Sequence, residues 1–417
     1  MSDTITTFTQ ALKEYYSPDM VENLIIKDQP FYAKVKKDNN FVGKDYYRVP
    51  MVWAPSAGVS SNFTKGMANA LATSNQVNEF QVKRVKTYSF GYIDAELILA
   101  ADGKASAFVD AAKLTVDNII VNLSRDIGIC MYRDGWGTRG QIKTGSAVTG
   151  KTITLSRASD AFNFEVGQRL DVTAAIGSAA AARAHGSSTN ALIVTGVDRD
   201  AGILTFAYNV NDATNGIPAI AADDYICLEG DISTSKVKLT GLAGWLPDTM
   251  PSSGDSFYGL DRSVDTRLAG LRLDASGGLT LIEALNKAVV KVAQVGGKAD
   301  TALVSFPTYA NIINALEGKF RYTEHGEGDI GFTGIEVLTS RGKVDVLPDV
   351  NCPDDHMYVL QLNTWKLCSL KEDIHRISED GLEMLRSSSA DAFEIRYRFS
   401  GALACTAPGF NISVKLA

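Results

Sequence analysis

The chain has 417 residues, 45% hydrophobic and 21% charged, and a formal net charge of −7 from 41 Lys and Arg against 48 Asp and Glu. That length holds about two to four domains with real cores, and the composition is that of an ordinary folded chain. The acidic balance excludes a protein that wraps nucleic acid, which needs dense Lys and Arg, and no apolar run reaches the roughly 18 residues of a membrane span. The polar N-terminus is no signal peptide. Cys130, Cys227, Cys352, Cys368 and Cys405 form no CxxC pair, so reduced thiols and synthesis inside a cell are expected. The glycosylation triplet Asn62-Phe63-Thr64 carries no weight in that setting.

Residues 1–40 read as an arm. Ser17-Pro18 starts a short helix carrying Met20, Val21, Leu24 and Ile25, and Gln29-Pro30 ends it. Its surface is too small for a domain, so it is expected to pack on a neighbouring domain or subunit. Residues 41–93 read as a long hairpin with strands Lys44 to Trp53 and Phe80 to Tyr92, the second carrying Phe80, Val82, Tyr88, Phe90 and Tyr92 on one side. Between them Gly58 to Gln76, rich in Ser, Ala, Asn and Gly, reads as a soft tip. An isolated hairpin is marginal in water, so its apolar side needs either its own domain or another subunit.

Residues 94–145 centre on one long helix, Lys104 to Arg133. Ala105, Phe108, Ala112, Val116, Ile119, Leu123, Ile127 and Cys130 fall at steps of three and four, the period of one helix face. Asp102 stands at the N-cap position and Gly135 and Gly137 stop the pattern. Such a helix is roughly 45 Å long. Asp110, Lys113, Asp117, Asn122, Arg125 and Asp126 exclude a membrane span, and the apolar face is too wide for a heptad seam. It reads as a spine with β-structure along it.

Residues 146–235 change character. Ile153 to Leu155, Gln168 to Thr173, Leu192 to Val197, Ile203 to Phe206 and Tyr225 to Leu228 read as short strands punctuated by glycines, a small barrel or sandwich set between the spine and the next domain. Thr173 to Thr189 reads as a loop over it. Residues 236–370 alternate helix and strand. Thr280-Leu281-Ile282-Glu283 is a capping box for a helix with Ile282, Leu285, Val289 and Val292, ending at Gly296-Gly297. Thr301 to Ser305 is a buried strand and Pro307 opens a second helix closed by Gly318. Strands follow at Ile335 to Thr339, Val344 to Leu347, Met357 to Gln361 and Lys366 to Leu370, giving an α/β domain with a mixed sheet. In 371–417, Phe393, Ile395, Tyr397 and Phe399, then Phe410, Ile412, Val414 and Leu416, alternate as amphipathic strands that tie the end of the chain into a sheet.

Chemistry is sparse. Gly326-Glu327-Gly328-Asp329-Ile330-Gly331 fits GxGxxG, but it lacks a preceding strand, and Glu327 and Asp329 would repel a pyrophosphate. The histidines are His185, His325, His356 and His375; Cys352 and His356 are two ligands and no zinc site, and Asp354-Asp355 reads as a cap or turn. No HExxH, GxSxG, Walker A or EF-hand loop occurs. Glu372-Asp373 and Glu379-Asp380 read as solvated turns. Tyr46, Tyr47, Trp53, Phe80, Tyr88 and Tyr92 could stack bases, although half-buried strands have the same composition. The residues thus point to no catalytic group, cofactor or metal.

The order of parts resembles the major capsid protein of tailed bacteriophages, the Hong Kong 97 type of fold. Leu239-Thr-Gly-Leu-Ala-Gly-Trp-Leu-Pro247 with Ser256-Phe-Tyr-Gly-Leu-Asp-Arg-Ser263, and Val295-Gly-Gly-Lys-Ala-Asp300 followed by Ser305-Phe-Pro-Thr-Tyr-Ala-Asn-Ile-Ile313, are similar to segments recurring in this family. The resemblance implies an α+β fold with N-arm 1–40, E-loop 41–93, P-domain with spine helix 94–145, β-rich insertion domain 146–235, axial A-domain 236–370 and strand return 371–417. It implies a non-enzymatic protein that self-assembles as hexamers and pentamers into an icosahedral head shell around double-stranded DNA. The implied partners are copies of itself, a separate scaffolding protein, a portal protein and a decoration protein, with packaged DNA near by non-specific proximity and no membrane. The implied location is the virion, after assembly in the bacterial cytoplasm. In a few members an E-loop lysine crosslinks to a neighbour's asparagine; Lys65 lies in the matching region, without an identifiable partner. Two other readings are an encapsulin-like nanocompartment shell and a nucleotide-dependent enzyme built on 236–370.

Overall fold

The computed structural model describes residues 29–39, 41, 45–54, 58–72, 76–95, 105–187, 192–315, 334–378, 385–387 and 390–416. The helix read at 17–28, the N-cap Asp102, Gly318, His325, the GxGxxG segment and Glu379-Asp380 lie outside the described residues. Contacts divide the chain into two compact units: the first comprises 1–33, 85–241 and 369–401, the second 34–84, 242–368 and 402–417.

In chain order, helix α1 (Pro30–Lys34) precedes strands β1 (Lys36–Asp38) and β2 (Tyr46–Ala54). Helix α2 (Phe63–Ala72), strands β3 (Gln76–Lys83) and β4 (Val85–Asp94), and the long helix α3 (Ala105–Tyr132) follow. Next come β5 (Thr138–Gln141), β6 (Thr152–Thr154), β7 (Arg169–Thr173), β8 (Leu192–Asp198), β9 (Ile203–Phe206) and β10 (Tyr225–Leu228). Then come α4 (Leu242–Trp245), β11 (Ser256–Phe257), β12 (Leu260–Asp261), β13 (Leu271–Asp274), α5 (Leu281–Gln294), β14 (Thr301–Val304) and α6 (Phe306–Ala315). The chain closes with β15 (Ile335–Thr339), β16 (Gly342–Pro348), β17 (His356–Leu360), β18 (Trp365–Arg376), β19 (Leu385–Arg386), β20 (Ala392–Cys405) and β21 (Ile412–Lys415).

In the first unit α3 lies along a sheet in which β4 and β20 pair antiparallel, from Ala392↔Asp94 to Gly401↔Val85. Ile395, Tyr397 and Phe399 are buried, and their partners Gly91, Ser89 and Thr87 share their face. The close approach is made at Gly91, where a side chain would collide with Ile119 and Thr115 of α3. The apolar face read on the spine is buried at Val116, Ile119, Leu123, Ile127 and Cys130, but so are Ile120, Ser124, Asp126, Ile129, Met131 and Tyr132. The last turns of α3 are therefore enclosed on all sides. Part of the enclosure is α1, where Phe31 packs on Tyr132 with ring centroids 5.7 Å apart and Gln29 Nε2 donates to Ser124 O at 3.2 Å. Gln29-Pro30 thus opens a helix here, with Pro at its first position where no N–H is needed.

The same unit holds a six-stranded sheet in the order β5-β10-β7-β8-β9-β6, every pair antiparallel. Its two edges meet through an Ile142↔Leu155 bridge, which closes the sheet on itself and leaves no long open edge. Ile153, Leu170, Val194, Leu204, Phe206 and Ile226 fill the interior. We call this body the β-module.

In the second unit a mixed sheet runs β13-β21-β17-β14-β16-β15. Pairs β13/β21 and β14/β16 are parallel and the other three antiparallel, and α5 and α6 pack against its apolar residues. The capping box forms as read: Thr280 Oγ1 accepts from Glu283 N and Glu283 accepts from Thr280 N. β21 is interior to this sheet, so the last residues are structural. The hairpin β2/β3 pairs from Tyr46↔Lys83 to Ala54↔Gln76. Phe80 at its base stands 5.2 Å from the Trp245 ring, which also meets Phe257 and Trp365 edge-on.

Three sequence readings are corrected. Phe80 to Tyr92 is not one strand: the chain leaves β3 at Arg84 and β4 joins a different sheet. Phe80 and Val82 are therefore buried, while Tyr88, Phe90 and Tyr92, of the same parity, face solvent. The hairpin tip is not a soft loop but carries α2, with Asn62 as its N-cap; Asn62 Oδ1 accepts from Lys65 N at 3.1 Å. Glu372 and Asp373 lie within β18 rather than in a turn.

Candidate assembly surfaces and an ionic neck

The tip helix α2 packs inward through small residues. Gly58 approaches Ala70 so closely that a Cβ at Gly58 would come within 2.7 Å of the Ala70 Cβ. The neighbouring face carries Phe63, Met67 and Leu71 at steps of four, one stripe on a helix. They are 82%, 57% and 83% exposed. Three large apolar residues on one face of a two-stranded hairpin, open to water, form a surface that no described residue covers.

A second such surface lies on β4. Tyr88, Phe90 and Tyr92 project from the side of the sheet opposite α3, 46%, 54% and 60% exposed, with the Tyr88 and Phe90 rings stacked at 6.2 Å. Their partners on β20 are Arg398, Arg396 and Glu394. Arg396 pairs with Glu394, and Arg398 Nη2 lies 3.2 Å from His375 Nε2.

The third feature is a buried cluster of charges where the β-module joins the spine. Asp126 on α3 accepts from Arg139 at the start of β5 through Oδ1, and from Lys238 Nζ through Oδ2 at 3.1 Å. All three are less than a tenth exposed. Lys238 also meets Asp231 at 3.1 Å, and Arg133 pairs with Asp160. Burial alone would pull the Lys238 ammonium down, but Asp126 and Asp231 outweigh it and hold its pKa above the usual lysine range. Burial pushes the Asp231 carboxyl up against the pull of Lys238, and pushes the Cys130 thiol up to about 12. A cavity with room for about one water is lined by Asp126, Cys130, Arg139 and Lys238. Nearer the surface Arg125 reaches Glu165 and the carbonyl of Phe162, and Arg199 shares Glu165.

The residues singled out in the sequence scatter. His185 pairs with Asp171, and His356 is held by Asp248 and Asp355 at 2.8 and 2.7 Å. Asp355 is therefore an ion-pair partner, not only a turn residue. Cys352 donates to backbone carbonyls and does not join His356 in a ligand set. Among the described residues no group of three His, Cys, Asp or Glu is placed to hold a metal, and no helix is long and apolar enough to cross a membrane. The aromatic set divides: Tyr47 donates to Asp38, Tyr46 lies beside Lys83, Phe80 is buried, and Tyr88 and Tyr92 share an open face, while the Trp53 side chain lies outside what is described. Lys65 is exposed on α2. The buried cluster escaped the sequence reading because Asp126 looks like any helix surface charge; Asp126, Arg139 and Lys238 meet only in the fold.

Residues 193–382 match the family model described as SU10 major capsid protein. Among solved structures, the chain is similar to the capsid asymmetric unit of cyanophage A-1(L), with a TM-score of 0.51 and 12% identity over 95% of this chain and 92% of that one. It also aligns with a chain of the satellite phage P4 procapsid that includes size determination (Sid) protein, with a TM-score of 0.40 and 10% identity over 100% of this chain and 98% of that one. A chain of Mycobacterium phage Bobi aligns with a TM-score of 0.43 and 10% identity, over 94% and 91%. No curated protein matches the chain.

Proposed function

We propose that this chain is a shell-forming major capsid protein of the tailed-phage type, a reading supported by the family match over residues 193–382 and by the likeness of fold, and that it closes hexamers and pentamers into an icosahedral head through its hairpin. The observation that carries this is the α2 stripe. Among the described residues, Phe63, Met67 and Leu71 stand in water on a hairpin that does not cover them. A lone chain with such a stripe is an incomplete structure, and a neighbouring copy completes it.

The neighbour's β4 ladder is the fitting receptor. Residues four apart on a helix repeat every 6 Å or so, and residues two apart on a strand about every 6.8 Å. Phe63, Met67 and Leu71 can therefore meet Tyr92, Phe90 and Tyr88 side by side over one helical stripe. The work is structural and non-enzymatic. Packaged DNA lies near an acidic wall to which it does not stick. A separate scaffolding protein guides assembly and a portal protein occupies one vertex. The β-module serves as an insertion domain on which a decoration protein can sit, and assembly takes place in the bacterial cytoplasm.

The test is negative-stain microscopy of the chain expressed with its scaffolding protein. The full chain gives closed shells, and a chain with residues 58–76 replaced by a short turn stays soluble and gives none. Normal shells from the shortened chain would remove the role given to the hairpin.

A further inference from the structure

We infer that the ionic neck is an orientation lock: it fixes the β-module at one angle to the spine helix and contributes nothing the module needs in order to fold. Three observations carry this, all within the first unit.

The module closes without the neck. Its barrel is completed by the Ile142↔Leu155 bridge around an apolar interior, and Arg139, although it stands on β5, spends its guanidinium on Asp126 and the Asn163 carbonyl.

The two connectors are built for contact. The chain enters the module through residues 133–137 and leaves through 229–241, and the two runs lie side by side. Gly241 N donates to Arg133 O at 2.8 Å and Lys238 N to Gly135 O at 3.2 Å. Gly135 and Gly137 hold left-handed φ values of 89° and 83°. A Cβ at Gly135 would meet Thr240 Oγ1 at 2.6 Å, and one at Gly137 would meet Asp231 O at 2.8 Å. Only glycine allows this conformation and this approach together.

Charge, not apolar packing, then fixes the angle. One spine carboxylate, Asp126, is gripped by Arg139 on the module's first strand β5 and by Lys238 from the outbound connector. Asp231 shares Lys238, and Arg133 at the end of the spine takes Asp160 of the module. The acids and bases balance. For buried pairs the cost of leaving water largely offsets the attraction, so such a cluster adds little net stability. What it adds is direction, because charge-assisted hydrogen bonds lose strength within a few tenths of an ångström whereas apolar surfaces can slide.

The test is limited trypsin digestion of the full chain. Asp126→Asn alone leaves two buried cations, Arg139 and Lys238, with one carboxylate, Asp231, so the variant of choice is Asp126→Asn with Lys238→Met, which leaves Arg139 and Asp231 to balance each other. Cleavage after Arg133 and Lys236 becomes about tenfold faster than in the parent chain. The released fragment, residues 134–236, keeps the module's cooperative melting transition at its parental midpoint. Unchanged cleavage in the neck would show that the charges set no orientation. Loss of the module's own transition would show that they are part of its folding core. Either result overturns the proposal. Removing the exposed Arg169–Glu229 pair by Arg169→Ala leaves neck cleavage at the parental rate.

Discussion

Ile119 on the spine helix occupies the space that a side chain at Gly91 of β4 would need. A Cβ at Gly91 would lie 2.4 Å from Ile119 Cδ1 and 2.9 Å from Thr115 Cγ2. No flexible polar tip can swing aside, since both neighbours are branched side chains of a buried helix face. Gly91→Ala therefore forces the sheet and the spine apart and destabilises the first unit by about 1–3 kcal/mol, the usual range for an overpacked core. Ile119→Val in the same chain recovers part of the loss by removing the Cδ1 methyl. Urea denaturation of the parent chain and the two variants measures both effects.

His356 gives the second unit a defined response to alkali. Burial pulls the imidazole down, but hydrogen bonds to Asp248 and Asp355 outweigh it and push the pKa from 6.5 up to about 9. A folded value above the unfolded one means that protonation stabilises the fold. That contribution is complete below pH 6.5 and is lost as the pH rises through about 9. Its size is on the order of 2–3 kcal/mol. Unfolding free energies at pH 6 and pH 10 should differ by that amount in the parent chain, and His356→Gln should remove most of the difference. A histidine whose NMR titration midpoint stays near 6.5 would contradict the assignment.

Thr280 tests a local interaction legible in the sequence. Its hydroxyl accepts from Glu283 N and its own N–H donates to Glu283, so two otherwise unpaired N–H groups of α5 are satisfied. Thr280→Ala should cost about 1 kcal/mol and Thr280→Asp much less, because a carboxylate caps equally well and favours the positive end of the helix. Thermal unfolding ranks the two variants.

These cases show which parts of the fold the sequence carries. Local rules were enough for α3, whose apolar period runs through Val116, Ile119, Leu123 and Ile127, for strands Ile203–Phe206 and Tyr225–Leu228, and for the capping box of α5. They failed where a residue's fate depends on a distant partner. Asp126 has the spacing of a solvent charge, but Lys238, 112 residues later, makes it a buried one. Tyr88 continues the alternation of Phe80 and Val82, but the change of sheet at Arg84 turns that side outward. The tip helix was legible and missed. Its Ser, Ala, Asn and Gly content suggested a loop, while the N-cap Asn62 and the four-residue steps from Phe63 to Leu71 spelled a helix.

The stripe on that helix and the ladder on β4 yield a test of assembly that does not depend on folding. Met67 and Phe90 are both more than half exposed, so a charge at either position costs the isolated chain little. Met67→Asp and Phe90→Lys should each leave secondary structure and melting temperature near the parental values. Each should abolish closed shells, because the charge would be buried unpaired when copies meet. Met67→Asp combined with Phe90→Lys places opposite charges in one contact, and shells should return at least in part at low salt and fade as salt is raised. Sedimentation and electron microscopy of the three variants read the outcome. Single variants that assemble normally would mean that the two surfaces do not meet in the shell. Single variants that fail without rescue in the double would keep both surfaces at interfaces but assign them different partners.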